Sequence, residues 1–279
     1  MGQHFLADPG WQQRIFQTLP RGTNQWVEIG AGHGEMTHLL AAEGRRVAAV
    51  EADPPLAESL RERVQADPQS WPGVEIVEGD VLATDIPALV EGRFRVYGNL
   101  PYYITSPILH RLFDDAGRID SIHIVIQLEV AERIVARPGC RDYGYLSAAC
   151  QFYTKPEIAL RLPPGAFRPP PKVTSALVQM TLPGERAGLP IPPSDEKQFL
   201  EFIQRSFSQK RKTLRNNLRS ALKSGLSASP SSLENGPPPC PTLPDDQIHQ
   251  ALASSGIRPD ARAEQLTLTQ FAALFTQLR

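Results

Sequence analysis

Glu28-Ile29-Gly30-Ala31-Gly32-His33-Gly34 closes one short apolar run and opens a helical pattern. Glycines at a strand-to-helix turn let the backbone come close to a ligand at the carboxyl edge of a sheet, where open α/β folds bind cofactors. A Gly-x-Gly-x-Gly run is a weak signal by itself. It is not the dinucleotide fingerprint, because the third glycine is Gly34 and position 35 is Glu, and no P-loop Gly-Lys-Ser/Thr is present. Outward from this stretch, β-rich runs alternate with helical patterns through the first two-thirds of the chain, as in a parallel sheet covered by helices. Candidate strands are 26–29, 47–51, 74–78, 95–98, 121–127, 157–162 and 176–182, with helices such as 54–65 and 107–114 between them. Val47-Ala48-Ala49-Val50 has no polar face, which implies a strand buried on both sides. No good helical pattern separates the last two runs, so an antiparallel pair at one edge is expected. The predicted fold is α/β: a Rossmann-like, doubly wound, mostly parallel seven-stranded sheet.

Polar residues then fall at successive strand ends. Glu51 ends the second strand, 21 residues past Gly30, where a carboxylate can accept both hydroxyls of a ribose. Asp80 ends the third strand in Val77-Glu78-Gly79-Asp80-Val81, placed to accept from an adenine amine. Either carboxylate taken singly reads more simply as a polar strand terminus. Asn99-Leu100-Pro101-Tyr102 follows the fourth strand. Its Asn oxygen and a neighbouring carbonyl can accept from an exocyclic amine. Pro101 fixes the backbone and removes a competing N–H, and Tyr102 offers a ring on which a flipped base stacks. An ordinary strand-to-turn junction uses the same residue types. The agreement of four strand ends is what favours a binding crevice.

Beyond residue 182 the character changes. A Pro/Gly-rich connection leads to helical patterns at 196–207 and 210–223, a Ser/Pro-rich stretch at about 227–246 that reads as a flexible insertion, and helices at 246–254 and 269–278. The predicted domains are 1–183, cofactor-binding, and 194–279, small and all-helical. Net charge is only −1, yet residues 203–223 hold seven Lys or Arg and no Asp or Glu: Arg205, Lys210, Arg211, Lys212, Arg215, Arg219 and Lys223. A solvated helix face is the plain alternative; a run so one-sided fits an anionic partner. Cys140, Cys150 and Cys240 are widely spaced and in no metal-ligand pattern, so neither disulfide nor metal is expected. Apolar runs are too short to span a membrane and no apolar leader opens the chain, giving the expectation of a cytoplasmic protein.

Taken together, these segments resemble the small-subunit (16S) ribosomal RNA adenine-N6,N6 dimethyltransferases, within the class I S-adenosylmethionine methyltransferases. The resemblance runs from Gly2-Gln3-His4-Phe5-Leu6 through Glu28–Gly34, Glu51, Asp80 and Asn99–Tyr102. It continues in Tyr143-Gly144-Tyr145-Leu146-Ser147, in Phe167-Arg168-Pro169-Pro170-Pro171-Lys172-Val173 and in Gln209-Lys210-Arg211-Lys212-Thr213-Leu214-Arg215-Asn216-Asn217. It ends with Gly256-Ile257-Arg258-Pro259-Asp260-Ala261-Arg262-Ala263-Glu264, so it covers nearly the whole chain.

The resemblance implies S-adenosylmethionine as cofactor, with S-adenosylhomocysteine as product. It assigns His4 and Leu6 to the methionine part, and Gly30, Gly32 and Val81 to the cofactor surface. Glu51 then takes the ribose, Asp80 the adenine amine, and Asn99 both cofactor and target base. It makes Phe167 the ring that closes the second face of the adenine against Tyr102; the residues alone read Phe167 as a core anchor beside a proline turn. The implied substrate is two adjacent adenines in the 3′-terminal hairpin loop of small-subunit rRNA within a pre-30S particle, bound by a monomer. The basic run, with Arg133, Arg137, Arg141, Arg168 and Lys172, is assigned to phosphates. Members usually carry a Lys/Arg-rich stretch before the Gly-Gln-x-Phe-Leu segment, whereas this sequence begins Met1-Gly2, so weaker RNA affinity is expected. Tyr103 stands where many members have Asn, a change expected to be tolerated. Three alternatives remain at this stage: a large-subunit (23S) rRNA adenine methyltransferase of the antibiotic-resistance type, a non-catalytic RNA-binding assembly factor of the same fold, and a nicotinamide dehydrogenase.

Overall fold

The computed structural model describes residues 4–22, 25–42, 45–223 and 245–279, with backbone alone for 220–223. Gly2, Gln3, the Lys223 side chain and nearly all of the Ser/Pro-rich stretch lie outside the described residues. The strands are β1 (Phe5–Leu6), β2 (Gln25–Ile29), β3 (Val47–Glu51), β4 (Val74–Glu78), β5 (Phe94–Asn99), β6 (Ile119–Gln127), β7 (Lys155–Leu162), β8 (Phe167–Arg168) and β9 (Ser175–Thr181). The helices are α1 (Pro9–Thr18), α2 (Glu35–Ala41), α3 (Pro54–Ala66), α4 (Thr105–Asp114), α5 (Leu128–Val135), α6 (Tyr145–Tyr153), α7 (Glu196–Ser206), α8 (Leu214–Lys223), α9 (Asp245–Ser254) and α10 (Leu268–Leu278).

Seven strands form one sheet in the order β4-β3-β2-β5-β6-β9-β7. β2 to β6 pair in parallel, and β9 runs antiparallel to both β6 and β7. Every residue of β3 is buried, as its unbroken apolar run requires. Local chemistry sets the helix starts. Asp8 accepts from the Trp11 N–H at 3.0 Å and Asp53 from the Leu56 N–H at 3.3 Å, each followed by a proline that tolerates the first helical position. Leu6, Ile15, Trp26, Leu40, Tyr97, Val125, Phe167 and Leu177 belong to one buried cluster, which joins α1 and α2 to the sheet.

Contacts divide the chain into two units, residues 1–135 with 153–184 and residues 136–152 with 185–279. The sequence-based division left 136–152 in the first domain. In the structure Tyr143 meets Phe207 with ring centroids 5.9 Å apart, Phe152 meets Phe199 at 5.4 Å, and the Gly139 N–H donates to the Glu264 carbonyl at 2.7 Å. These contacts bind the segment to the helical unit. Within that unit Phe199, Phe202, Phe207, Phe271 and Phe275 pack ring against ring. The helix expected over 210–223 begins only at Leu214. Before it the chain turns, with the Lys212 N–H on the Gln209 carbonyl at 3.0 Å. The buried Asn217 amide donates to the Ser206 and Gln209 carbonyls at 2.7 and 3.1 Å, satisfying backbone acceptors that a helix would have used.

Candidate active site

The chain leaves β2 for β3 and β4 on one side, then returns to β5 on the other. β2 and β5 therefore flank the topological switch point, where open α/β sheets bind ligands at the carboxyl ends of strands. The glycine turn lies there. Gly32 holds φ +58°, and a Cβ on it would stand 3.1 Å from the Phe5 ring. Gly34 holds φ +83°, and its Cβ would meet Leu60 Cδ1 at 2.4 Å. Both φ values lie in the left-handed region that L side chains rarely adopt, and a Cβ would also crowd Phe5 or Leu60, which is why the run is written in glycine.

A cavity of about 60 Å³ opens at this point. β1 contributes Phe5 and the residue before it, His4, the turn contributes Gly30 and Gly32, β3 contributes Glu51, β5 contributes Asn99, and the residues after it contribute Leu100, Pro101 and Tyr102. Glu51 is buried, with Oε2 accepting from the Gly32 N–H at 2.8 Å and Oε1 from the Asp53 N–H at 3.0 Å. Those two bonds fix the carboxylate and leave lone pairs for hydroxyl donors. Asn99 Nδ2 donates to the His4 carbonyl at 2.9 Å. That bond settles which way the amide faces and leaves Oδ1 as its acceptor for a ligand. Leu100 is buried, and its N–H donates to the Val125 carbonyl at 3.1 Å. The Tyr102 hydroxyl is bonded to Ser175 Oγ at 2.9 Å, and the His4 imidazole lies against its ring at 5.8 Å. His4 is itself tied to the Pro169 carbonyl at 2.6 Å.

A second cavity of about 30 Å³ is lined by Leu6, Glu28, Gly30, Glu35, Tyr97 and Asn99, among others. Glu28 stands opposite Tyr97 in the β2–β5 register. Both are buried, and neither Glu28 Oε2 nor the Tyr97 hydroxyl has a hydrogen-bond partner. Burial pushes the Glu28 carboxyl up to about 8, with the Glu35 and Glu51 carboxylates adding to the rise. The Tyr97 phenol is pushed up as well, by burial and then by Glu28. From sequence alone Glu28 is only the first residue of the glycine turn, and Phe5 and Tyr97 carry no site role. An acid one residue before the end of an otherwise apolar strand was the available signal.

Of the residues expected here, His4, Gly30, Gly32, Glu51, Asn99, Leu100, Pro101 and Tyr102 line the first cavity and Leu6 the second. Asp80 and Val81 line neither. Asp80 is exposed past β4 with Oδ1 accepting from the Leu82 N–H at 2.9 Å, and the Gly79 N–H donates to the Glu51 carbonyl at 2.9 Å, which keeps this turn next to β3. Val81 is buried. Phe167 requires a correction. Its ring is 2% exposed in the core cluster, and β8 pairs with β1 through Leu6 opposite Phe167. Apolar burial has claimed it as the anchor of its loop, so it does not face the first cavity. Arg168 and Lys172, on the same loop, are exposed.

In the helical unit Arg205, Lys210, Arg211, Lys212 and Arg219 are exposed, with Arg137 and Arg141. Arg215 is committed to Asp245, with Nε on Oδ1 at 3.0 Å and Nη2 on Oδ2, and the pair holds the carboxyl below its ordinary value. It is therefore not an open phosphate ligand. Arg133 pairs with Glu129 at 2.9 Å. Among the described residues no cluster of His, Cys, Asp or Glu could hold a metal, and no helix is long and apolar enough to cross a membrane.

The family model for ribosomal RNA adenine dimethylase matches residues 1–234. The chain is 37% identical over 294 residues to the ribosomal RNA small subunit methyltransferase A of Koribacter versatilis, covering all of this chain and 93% of that one. It is 38% identical over 276 residues to the protein of the same name from Xanthomonas campestris strain 8004, covering 98% and 93%. A dimethyladenosine transferase from Plasmodium falciparum superposes with TM-score 0.75 at 23% identity, covering 98% and 96% of the two chains. The 23S rRNA methyltransferase ErmE superposes with TM-score 0.66 at 25% identity, covering 98% and 99%.

Proposed function

We infer the reaction from one premise: the chain belongs to the ribosomal RNA adenine dimethylase family. It is an S-adenosylmethionine-dependent enzyme that dimethylates N6 of adenine in small-subunit rRNA. Its targets are two adjacent adenines in the 3′-terminal hairpin loop, presented within a pre-30S particle to a monomeric, cytoplasmic enzyme.

The site fits the cofactor. Gly30 and Gly32 form a cradle that a Cβ would fill, Glu51 offers a fixed carboxylate to the ribose, and Asp80 stands past β4 for the adenine amine. His4 and Leu6 take the methionine part, and the unpartnered Glu28 Oε2 suits the cationic end of an amino acid. When bound, S-adenosylmethionine supplies a methyl group already made electrophilic by its sulfonium.

The protein's work is alignment. The adenine amine is a poor nucleophile because its lone pair is delocalised into the ring. Asn99 Oδ1 and the Leu100 carbonyl accept from its two N–H groups, which favours a tetrahedral, electron-rich N6 and stabilises the positive charge that grows there. On methylation one N6 proton would leave to water, so the side chains around Asn99 are asked to orient the amine rather than to act as a general base. After the first transfer one N–H remains, and one acceptor still orients N6 for the second. Tyr102, pinned by Ser175, supplies a stacking face for the extruded base. Exposed Lys210, Arg211, Lys212, Arg205 and Arg219 take phosphates without reading sequence.

The observation that carries this reading is the Asn99 amide locked by the His4 carbonyl beside Glu51 in one cavity. Asn99→Ala removes the acceptor and should lower kcat by about 100- to 1,000-fold, the usual cost of deleting one preorganised polar group. Transfer of labelled methyl to undermethylated small subunits measures it. Full activity in a folded Asn99→Ala protein contradicts the mechanism.

A further inference from the structure

Three large apolar side chains stand exposed among the described residues: Leu82, Tyr103 and Val173. All three lie along the carboxyl edge of the parallel strands, Leu82 at its far end and Tyr103 and Val173 nearer its middle. Leu82 and Tyr103 follow the carboxyl ends of β4 and β5, and Val173 precedes β9, whose first residue Ser175 pairs with Gln127 at the carboxyl end of β6. This is the edge on which the cavity opens. The bond between the Tyr102 hydroxyl and Ser175 Oγ ties the segment carrying Tyr103 to the one carrying Val173. Exposed Arg168 and Lys172 lie on that same second segment.

Tyr102 and Tyr103 are neighbours with opposite fates. Tyr102 is half-buried and lines the cavity, whereas Tyr103 is 71% exposed. A largely exposed aromatic ring, joined directly to a residue that lines the base pocket and tied through Ser175 to a segment bearing two exposed cations, matches the way single-stranded RNA is held: bases on rings, phosphates on Arg and Lys. Extruding one base from a loop also leaves the next base without its stacking partner.

We propose that Tyr103 is the stacking platform for the nucleotide flanking the target adenine, with Val173 beside it and Arg168 and Lys172 on the adjoining phosphates. The proposal rests on the methyltransferase reading and extends it from one nucleotide to two. Its consequence is a substrate-affinity role that the cofactor does not share.

The test compares Tyr103→Ala and Tyr103→Phe with the wild-type enzyme on undermethylated small subunits. Stacking on one ring is worth about 1–3 kcal/mol, so the Ala variant should raise KM for subunits by about 5- to 150-fold. Cofactor affinity, measured by calorimetry, should stay at the wild-type value, and Phe should restore KM. Zero-length ultraviolet crosslinking of the wild-type complex should join Tyr103 to the nucleotide beside the target. An Ala variant within twofold of wild-type KM overturns the proposal, as does a Phe variant no better than Ala. So does a crosslink to a ribosomal protein or to a distant nucleotide, which would make the ring part of another interface. If the wild-type enzyme moves no methyl to small subunits, the methyltransferase reading fails instead.

Discussion

Asn99 owes its chemistry to a carbonyl 95 residues away in sequence. By taking Nδ2, His4 turns an ambiguous amide into a directed acceptor, and no local pattern encodes that pairing. What the sequence did reveal was the residue type at a strand end, repeated at Glu51 and Asp80. Phe167 shows the opposite limit: an aromatic beside prolines serves equally as a stacking ring or a core anchor, and only its 2% exposure decides. Glu28 carries a testable consequence. Its carboxyl sits at about 8 in the folded chain against an ordinary 4.5. Between those values the folded protein holds the proton and the unfolded chain has lost it, so stability falls as pH rises through that window. Glu28→Gln abolishes the titration. Cofactor-free Glu28→Gln should match the wild-type protein near pH 4.5 and exceed it above pH 8 by on the order of 2–4 kcal/mol in urea unfolding. An equal difference at both pH values contradicts the burial argument.

At the scale of elements, the seven main strands were legible because buried apolar runs bounded by turn residues have few other solutions. The expected antiparallel edge pair is β7 with β9. β1 and β8 were not legible, since two residues each carry no periodicity; tertiary pairing of Leu6 with Phe167 creates them. The pattern of the basic segment predicts one helix from 210, yet its first residues form a turn that Asn217 holds from within. That turn presents Lys210, Arg211 and Lys212 just ahead of α8, while Arg215 is spent on Asp245. Replacing the three by Ala should weaken RNA binding uniformly and reduce the slope of log affinity against log salt by roughly 2–3. Replacing Arg215 should leave that slope nearly unchanged. A salt titration that finds the slope insensitive to the triple change would remove this turn from the RNA contact.

For the molecule as a whole, composition said little, since a net charge of −1 conceals a basic run with no acid in it. The change of character after residue 182 marked the second unit, but the transfer of 136–152 to that unit depends on Tyr143 and Phe152 meeting rings from α7 and its end. Such pairings join positions far apart in sequence and leave no periodic trace. Each unit contributes a different competence. The sheet unit carries the acceptors and the cofactor cradle, and the helical unit carries most of the exposed cations. Together these serve dimethylation of adenine N6 in the small subunit. That role is tested most directly by presenting labelled S-adenosylmethionine with undermethylated small and large subunits and analysing the nucleosides formed. The expected product is N6,N6-dimethyladenosine in small-subunit rRNA alone. Label in large-subunit rRNA, or in neither despite bound cofactor, would contradict it.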